Sequence, residues 1–370
     1  MPMRLSRLAA GAVVFCAFAT AQQTSGDADL FRAASGETDP VKKLAVLEQW
    51  TAQYPDSLYK QQRNLLYMAG YSALALDAAK GTGVAAGERA AHAMIDRADA
   101  LFASQMMPGG VQENAWKAGR VDFVTQAHGA LATIALNGKN YVEAESELMA
   151  ILELNHSDAA TSYRLGATLV AERNPVKYPA AIFHLARAVT VMGPGAVDDS
   201  AKKPIEDYLE NIYRDYHGSL MGLDEVKMAA MEAWIPPAGW TIQSITAIAQ
   251  AQIEADEKFA SEHPELAVWR TLKARLTAPD GEDYFASDVK GTEIPRLKGK
   301  VTAQPDAKTL ILAMDDPAMA DATLHLDTAL RAQTLAGTEL DFTGVPLSFT
   351  KTPFMMIFSV EKSKVNGLGR

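Results

Sequence analysis

The sequence predicts a mainly α-helical protein that ends in a small β-domain. An apolar residue followed by a small one, and then an alanine and two further apolar or small residues at helical spacing, occurs twice, within residues 131–151 and 165–188. Helical periodicity runs from residue 40 to residue 276, with breaks at Pro, Gly or Asn. Beyond residue 296 the apolar residues instead come in short, β-branched bursts. Helices joined by short loops bury their apolar faces by stacking, so we expect an α-solenoid of helical hairpins ahead of a compact β-structure.

The chain begins with the pattern of a cleavable secretory signal, over residues 1–21. Arg4 and Arg7 precede an apolar run that ends in an Ala-Thr-Ala triplet at residues 19–21. A run of about 14 apolar residues falls short of the ~20 that a membrane-anchoring helix needs, which disfavours that alternative. We therefore expect cleavage near Ala21 and export to the periplasm or the medium.

The only cysteine of the chain, Cys16, lies inside this predicted signal. Bulky Phe15 precedes it where a lipoprotein signal needs a small residue, so we expect no acylation. The mature chain then has no thiol. That excludes a disulfide framework, a thiolate metal site and a cysteine nucleophile.

After the signal, we expect residues 22–39 to be a flexible N-terminal segment and residues 40–278 to form the helical repeat domain. Mostly short loops between the predicted helices indicate antiparallel hairpins. The predicted helices span residues 41–54, 58–80, 87–105, 112–137, 141–154, 158–172, 178–192, 201–217, 223–234, 242–262 and 265–276.

The repeated spacing resembles the tetratricopeptide repeat (TPR) family. The family unit of about 34 residues pairs a first helix that carries an apolar-small pair with a second helix that carries spaced alanines. Residues 125–158 and 159–194 carry this pattern, and residues 66–98 carry a more degenerate copy. The matching residues are Leu131, Ala132, Ala144 and Leu148 in the first unit, and Leu165, Gly166, Ala181, Leu185, Ala188 and Pro194 in the second. The resemblance implies a concave groove that binds a protein or peptide partner, whose identity stays open.

The resemblance also assigns partner-binding positions, through the register of the family. These positions are Gln126, Gly129 and Thr133 in the first unit, and Tyr163, Arg164 and Ala167 in the second. They lack the Lys and Asn cluster with which some family members clamp a terminal carboxylate. Within the set, Arg164 is the residue that can pair with an acidic group.

The pattern of apolar residues changes from helical to strand periodicity after Pro279. Residues 279–293 contain turn formers and few apolar residues, so we expect a linker there and a separate β-domain over residues 294–370. The predicted strands span residues 297–303, 309–314, 322–326, 338–343 and 354–360, and the spacings of Phe342, Phe349, Phe354 and Phe358 fit strand interiors. Five short strands fit either a small barrel that resembles the OB-fold or a small β-sandwich.

Composition and motifs limit the kinds of function that the protein can have. The formal charge of −10 becomes about −12 once the signal and its two arginines are removed, which argues against a nucleic-acid partner. We identify no zinc signature, phosphate loop or catalytic constellation, so we expect no metal, no other cofactor and no enzymatic activity. No stretch after the signal has the length and apolarity of a membrane span. The sequence therefore predicts an exported, non-enzymatic scaffold or adaptor.

A second hypothesis is an exported hydrolase or glycan-binding protein with a site where the helices meet the β-domain. The stretch 234–240 supports it, since its paired Trp234 and Trp240 suit sugar or peptide surfaces. The competing interpretation is that both Trp side chains pack between helices.

Overall fold

The computed structural model describes residues 25–368. The predicted signal peptide, its cleavage site and Cys16 lie outside the described residues. The described chain forms two compact units, which divide between Ile245 and Thr246. We call residues 25–245 the helical unit and residues 246–368 the barrel unit. In neither unit, as described, does a helix have the length and apolarity needed to cross a membrane.

The helical unit consists of successive helices with short connections. Their bounds are α1 (Ser25–Gly36), α2 (Pro40–Gln53), α3 (Lys60–Ala79), α4 (Val84–Leu101), α5 (Glu113–Asn137), α6 (Tyr141–Leu154), α7 (Ala159–Ala171), α8 (Tyr178–Thr190), α9 (Asp199–His217) and α10 (Leu223–Glu232). Side-chain caps start several of them: Asp39 accepts a hydrogen bond from the Val41 amide (2.9 Å) at α2, and Asp158 accepts one from the Thr161 amide (2.9 Å) at α7. From α2 onward these bounds lie within a few residues of the predicted ones.

The helices pack as neighbouring pairs. α3 packs on α4, α5 on α6 and α7 on α8, and each of these pairs packs on the next. Short connections make such pairs antiparallel hairpins. The buried core follows the same order, in one cluster over α1 to α5, a second over α5 to α8 and a third over α8 to α10.

Small residues lie where α7 and α8 approach closely. A Cβ added to Gly166 would lie 2.9 Å from the Ala181 carbonyl oxygen and 2.8 Å from Leu185 Cγ. Ala181 on α8 and Ala144 on α6 are both fully buried, at 0% exposure. The close approach that the sequence spacing predicts is therefore present between α7 and α8.

The predicted flexible segment is wrong for its described part, because residues 25–36 form helix α1. Buried Asp27 on this helix accepts a hydrogen bond from Trp50 Nε1 at 2.6 Å, across 23 positions of sequence. The Phe31 ring stacks on the Tyr59 ring, with 4.7 Å between centroids. Tertiary contacts hold this helix in place, and such contacts leave no local pattern in the sequence.

The barrel unit starts with helices and continues with strands. Its elements are α11 (Ile245–Glu262), whose first residue is the last of the helical unit, α12 (Pro264–Thr277), α13 (Gly281–Tyr284), a π-helical turn (Phe285–Val289), β1 (Ile294–Asp306), β2 (Thr309–Ala313), β3 (Ala322–Leu326), β4 (Glu339–Lys351), β5 (Phe354–Val360) and β6 (Val365–Asn366). β1 pairs with both β2 and β4, so β1-β2-β3-β5-β4 closes into a five-stranded barrel. β3 and β5 run parallel, and β6 adds a short pairing to β4. The predicted barrel is confirmed, and the β-sandwich alternative is wrong.

The barrel core includes residues that the sequence analysis placed elsewhere. Trp269 of α12, predicted within the helical domain of residues 40–278, is buried among the strand side chains. Phe285 and Val289, predicted within a linker of residues 279–293, are buried in the same core. Helix α12 and residues 285–289 therefore belong to the barrel unit, not to the predicted helical domain and linker. The periodicity of a helix indicates its apolar face but not the core on which that face packs.

A buried carboxylate ties α12 to the barrel. Asp321, 2% exposed, accepts hydrogen bonds from Trp269 Nε1 (3.1 Å), Lys273 Nζ (2.9 Å) and the Met314 amide (2.8 Å).

The phenylalanines predicted to lie in strand interiors are in the barrel core. Phe342, Phe354 and Phe358 are buried, and Phe349 is partly buried and packs against this core.

Candidate partner-binding surface

A polar contact joins two of the predicted groove residues, Thr133 on α5 and Arg164 on α7. Arg164 Nη2 donates a hydrogen bond to Thr133 Oγ1 at 3.0 Å, and that hydroxyl donates in turn to the Gly129 carbonyl oxygen at 2.8 Å. Both side chains are half-buried. The packing of α5 near α7 thus brings together residues that lie 31 positions apart.

The Arg164 guanidinium is a cation without an ion-pair partner among residues 25–368. Burial lowers the pKa of Arg164, and the Asp158 carboxylate partly opposes this effect. That carboxylate is already engaged as the N-cap of α7, where it accepts hydrogen bonds from the Thr161 amide (2.9 Å) and hydroxyl (2.8 Å). A guanidinium presents several N–H donors in a planar fork, and Thr133 accepts from one nitrogen. The remaining donors are suited to a carboxylate.

An aromatic pair joins α7 to α9. Tyr163, the residue before Arg164 on α7, is half-buried and meets the Tyr208 ring of α9 edge-on, with 6.4 Å between centroids and 75° between planes. Burial raises the pKa of Tyr208, and nearby Tyr163 and Tyr178 raise it further. The sequence analysis missed Tyr208, because α9 lies beyond the second recognised repeat and nothing local marks the residue.

Gln126, a predicted partner-binding residue, is buried in the structure. It is 4% exposed; its amide nitrogen donates to the Ser72 carbonyl oxygen (3.2 Å), and its amide oxygen accepts from Ser72 Oγ (3.2 Å). These bonds fix α5 on α3, so the prediction of partner contact is wrong for this residue. The remaining predicted positions, Gly129 and Ala167, are half-buried.

Other buried polar groups of the helical unit have structural partners or stay neutral. Arg187 donates to the carbonyl oxygens of Ala230 (3.0 Å), Ala233 (2.7 Å) and His156, which secures the end of α10. Burial, and then the neighbouring Arg187, lower the pKa of His184 to about 4. Within the part of the chain that the structure describes, no three His, Cys, Asp or Glu side chains are grouped so that they could hold a metal ion.

The two tryptophans behind the glycan-binding hypothesis pack inside the helical unit. Trp234 stacks on His156, with 4.4 Å between centroids and 7° between planes. Trp240 meets the Phe183 ring edge-on at 5.2 Å. Part of each indole is therefore used in packing, which favours the interpretation that both are structural.

No protein-family model matches this chain, and a search of curated proteins finds no match. The functional assignment therefore depends on the geometry around Arg164.

Proposed function

We propose that the helical unit is a non-enzymatic binding module that takes an acidic peptide segment of a partner protein at Arg164. The half-buried guanidinium, with Thr133 as its hydrogen-bond partner in the described structure, is the observation that carries the proposal. A half-buried charge has lost part of its hydration, so a well-aligned carboxylate stabilises the complex through charge-assisted hydrogen bonds. Thr133 holds one edge of the guanidinium and leaves the rest for the ligand.

The class of the module is supported by its resemblance to tetratricopeptide repeats. Helix pairs packed in sequence, with Gly166 at a close approach, are what stacked hairpins require. In the family register Thr133, Tyr163 and Arg164 face the concave groove, the surface that holds peptides in such stacks. The proposal includes export after cleavage near Ala21 and a scaffold or adaptor role. The barrel unit, whose strand number and size resemble the OB-fold, is then an attached domain.

The test uses fluorescein-labelled peptides in matched pairs, in which one member has a central Asp or Glu and the other has Asn or Gln. We expect acidic members to bind the full-length protein in fluorescence anisotropy. Arg164→Ala should weaken that binding about thirtyfold or more, since loss of one side of a desolvated charge pair costs about 2 to 5 kcal/mol. Arg164→Lys, which keeps the charge but loses the planar fork, should bind with intermediate affinity.

Arg89→Ala is the matched control, because Arg89 is exposed on α4. It should bind like the parent, and thermal melts should show that all three variants are folded. Equal binding of the acidic and amide peptides, or parental affinity in folded Arg164→Ala, would contradict the proposal.

A further inference from the structure

The barrel unit contains a cavity of about 540 Å³ between its helices and its first strand. The lining comes from the end of α11, from α12, from residues 284–289 and from the start of β1. Leu272 of α12 and Val289 of the π-helical turn line the cavity, and both are buried in the barrel core. Cavities of about 300 to 1,000 Å³ with a mostly apolar lining are typical sites for small molecules. The size and the lining therefore suit a small ligand with an apolar body.

Asp288 is the charged residue of this lining. The other residues around the cavity, all of them within the described chain, are apolar or carry a hydroxyl group. Asp288 belongs to the π-helical turn, in which the Lys290 amide donates to the Phe285 carbonyl oxygen at 2.8 Å. The Thr292 hydroxyl donates to the Asp288 carbonyl oxygen at 3.2 Å, and Phe285 and Val289 are anchored in the core. These contacts fix the backbone of Asp288 at the cavity wall, and π-helical turns are frequent at functional sites.

The Asp288 carboxylate forms no ion pair within residues 25–368. Ser287 Oγ donates a hydrogen bond to its Oδ2 atom, and a carboxylate can accept further bonds at both oxygens. The Arg275 guanidinium lies over the ring of Tyr284, another lining residue, at 5.0 Å, but it pairs with Asp280 at 3.0 Å. A ligand ammonium group at the wall of the cavity would therefore meet a carboxylate that has acceptor capacity left. A ligand carboxylate or phosphate would be repelled there.

We propose that this cavity binds a small hydrophobic amine, with its alkyl or aryl body on the apolar lining and its ammonium group on Asp288. Contact with side chains such as Leu272 and Val289 removes apolar surface of the ligand from water, which supplies most of the affinity. Asp288 is exposed, so the ion pair adds selectivity for the amine at a modest gain in affinity. The cavity lies wholly within the barrel unit, so this site does not depend on peptide binding at Arg164.

Three probes of the same shape test the proposal on the full-length protein at pH 7. They are 4-phenylbutylamine, the uncharged 4-phenylbutan-1-ol and the anionic 4-phenylbutyrate, each titrated by ligand-observed NMR. We expect the amine to bind about threefold to fivefold tighter than the alcohol, as an exposed ion pair allows, and the butyrate to bind most weakly. Asp288→Asn should remove the preference for the amine over the alcohol. Asp283→Asn, at an exposed position of α13 outside the lining, should keep that preference.

Val268→Trp tests the location of the site. Val268 lines the cavity and is 49% exposed, so a larger side chain can extend into the cavity without entering the core. It should weaken binding of the amine and the alcohol alike by about tenfold or more, because it occupies the apolar surface that both need. Thermal melts establish that each variant is folded.

Three results would overturn the proposal. The first is equal affinity of the parent for the amine and the alcohol, or no binding of either. The second is a preference for the amine that persists in folded Asp288→Asn. The third is parental binding in folded Val268→Trp, which would place the amine outside this cavity.

Discussion

At Arg164, burial disfavours the charged form of the guanidinium, and the Asp158 carboxylate partly opposes this effect. Loss of water lowers the pKa of the guanidinium, yet arginine stays protonated in proteins, so a charge persists in the half-buried site. Thr133 replaces part of the lost hydration with one hydrogen bond of 3.0 Å. A carboxylate at the site would supply the charge-assisted bonds that the described residues do not provide. Binding should therefore depend on an acidic group in the ligand.

His184 predicts an acid-sensitive contribution to stability. Its Nδ1 is buried and has no partner among the described residues, and burial lowers the pKa of His184 from 6.5 to about 4. The unfolded chain therefore takes up this proton at a higher pH than the folded chain does. The contribution is fully present above about pH 6.5 and is lost as the pH falls toward 4.

Urea unfolding at pH 7 and pH 4.5 measures this contribution. Between these pH values the parent should lose about 2 to 3 kcal/mol more of its unfolding free energy than His184→Leu, which cannot titrate. His92→Gln, at an exposed position of α4, should follow the parent. If the parent and His184→Leu lose the same amount, the imidazole is not held neutral by burial.

The burial of Gln126 could not be predicted from the sequence. The family register orients residues along a helix, and two of the residues it selects, Thr133 and Arg164, are in contact in the structure. It could not show that Ser72, 54 positions earlier, covers Gln126. Burial of a polar residue depends on its partner across the core, and a single sequence does not name that partner.

At the scale of elements, the predicted bounds succeed where signals are local. α6 is predicted and found at Tyr141–Leu154, preceded by Asn140, whose side chain caps the Glu143 amide. Local signals do not predict α1, and they do not indicate the core on which α12 packs. α1 depends on the distant hydrogen bond between Asp27 and Trp50, and α12 packs on strands that follow it in the chain. Those associations arise from tertiary packing, which overrides local propensity.

Ala181→Leu tests the close packing of α7 on α8. Ala181 is 0% exposed, and its carbonyl oxygen would lie 2.9 Å from a Cβ on Gly166. The larger side chain must displace its neighbours, so we expect the unfolding free energy to fall by about 1 to 3 kcal/mol in urea titrations. Ala160→Leu, at an exposed position in the first turn of α7, should change it little. A melt of Ala181→Leu that overlays the parent would mean that this contact has room for a larger residue.

At the scale of the whole molecule, the division of the chain predicts which fragments fold. A chain of residues 246–370 keeps α12, whereas one of residues 279–370 lacks Trp269 and Lys273, both donors to buried Asp321. We expect the longer chain to give a strand-containing circular dichroism spectrum and a cooperative melt. The shorter chain should be unfolded, because it loses part of its apolar core and leaves a buried carboxylate without its charged partner. Equal stability of the two chains would show that α12 is dispensable to the barrel.

A charge exchange at Arg164 tests whether the acidic ligand binds at this guanidinium. The measurement compares the parent with Arg164→Glu, using the tightest acidic peptide of the matched set and a second peptide in which Lys replaces its acidic residue. Thermal melts first establish that the variant is folded. The parent should prefer the acidic peptide and the variant the Lys peptide, each by about tenfold or more, because like charges across the contact repel. A folded Arg164→Glu protein that keeps the parental preference for the acidic peptide would place the binding site elsewhere and contradict the account.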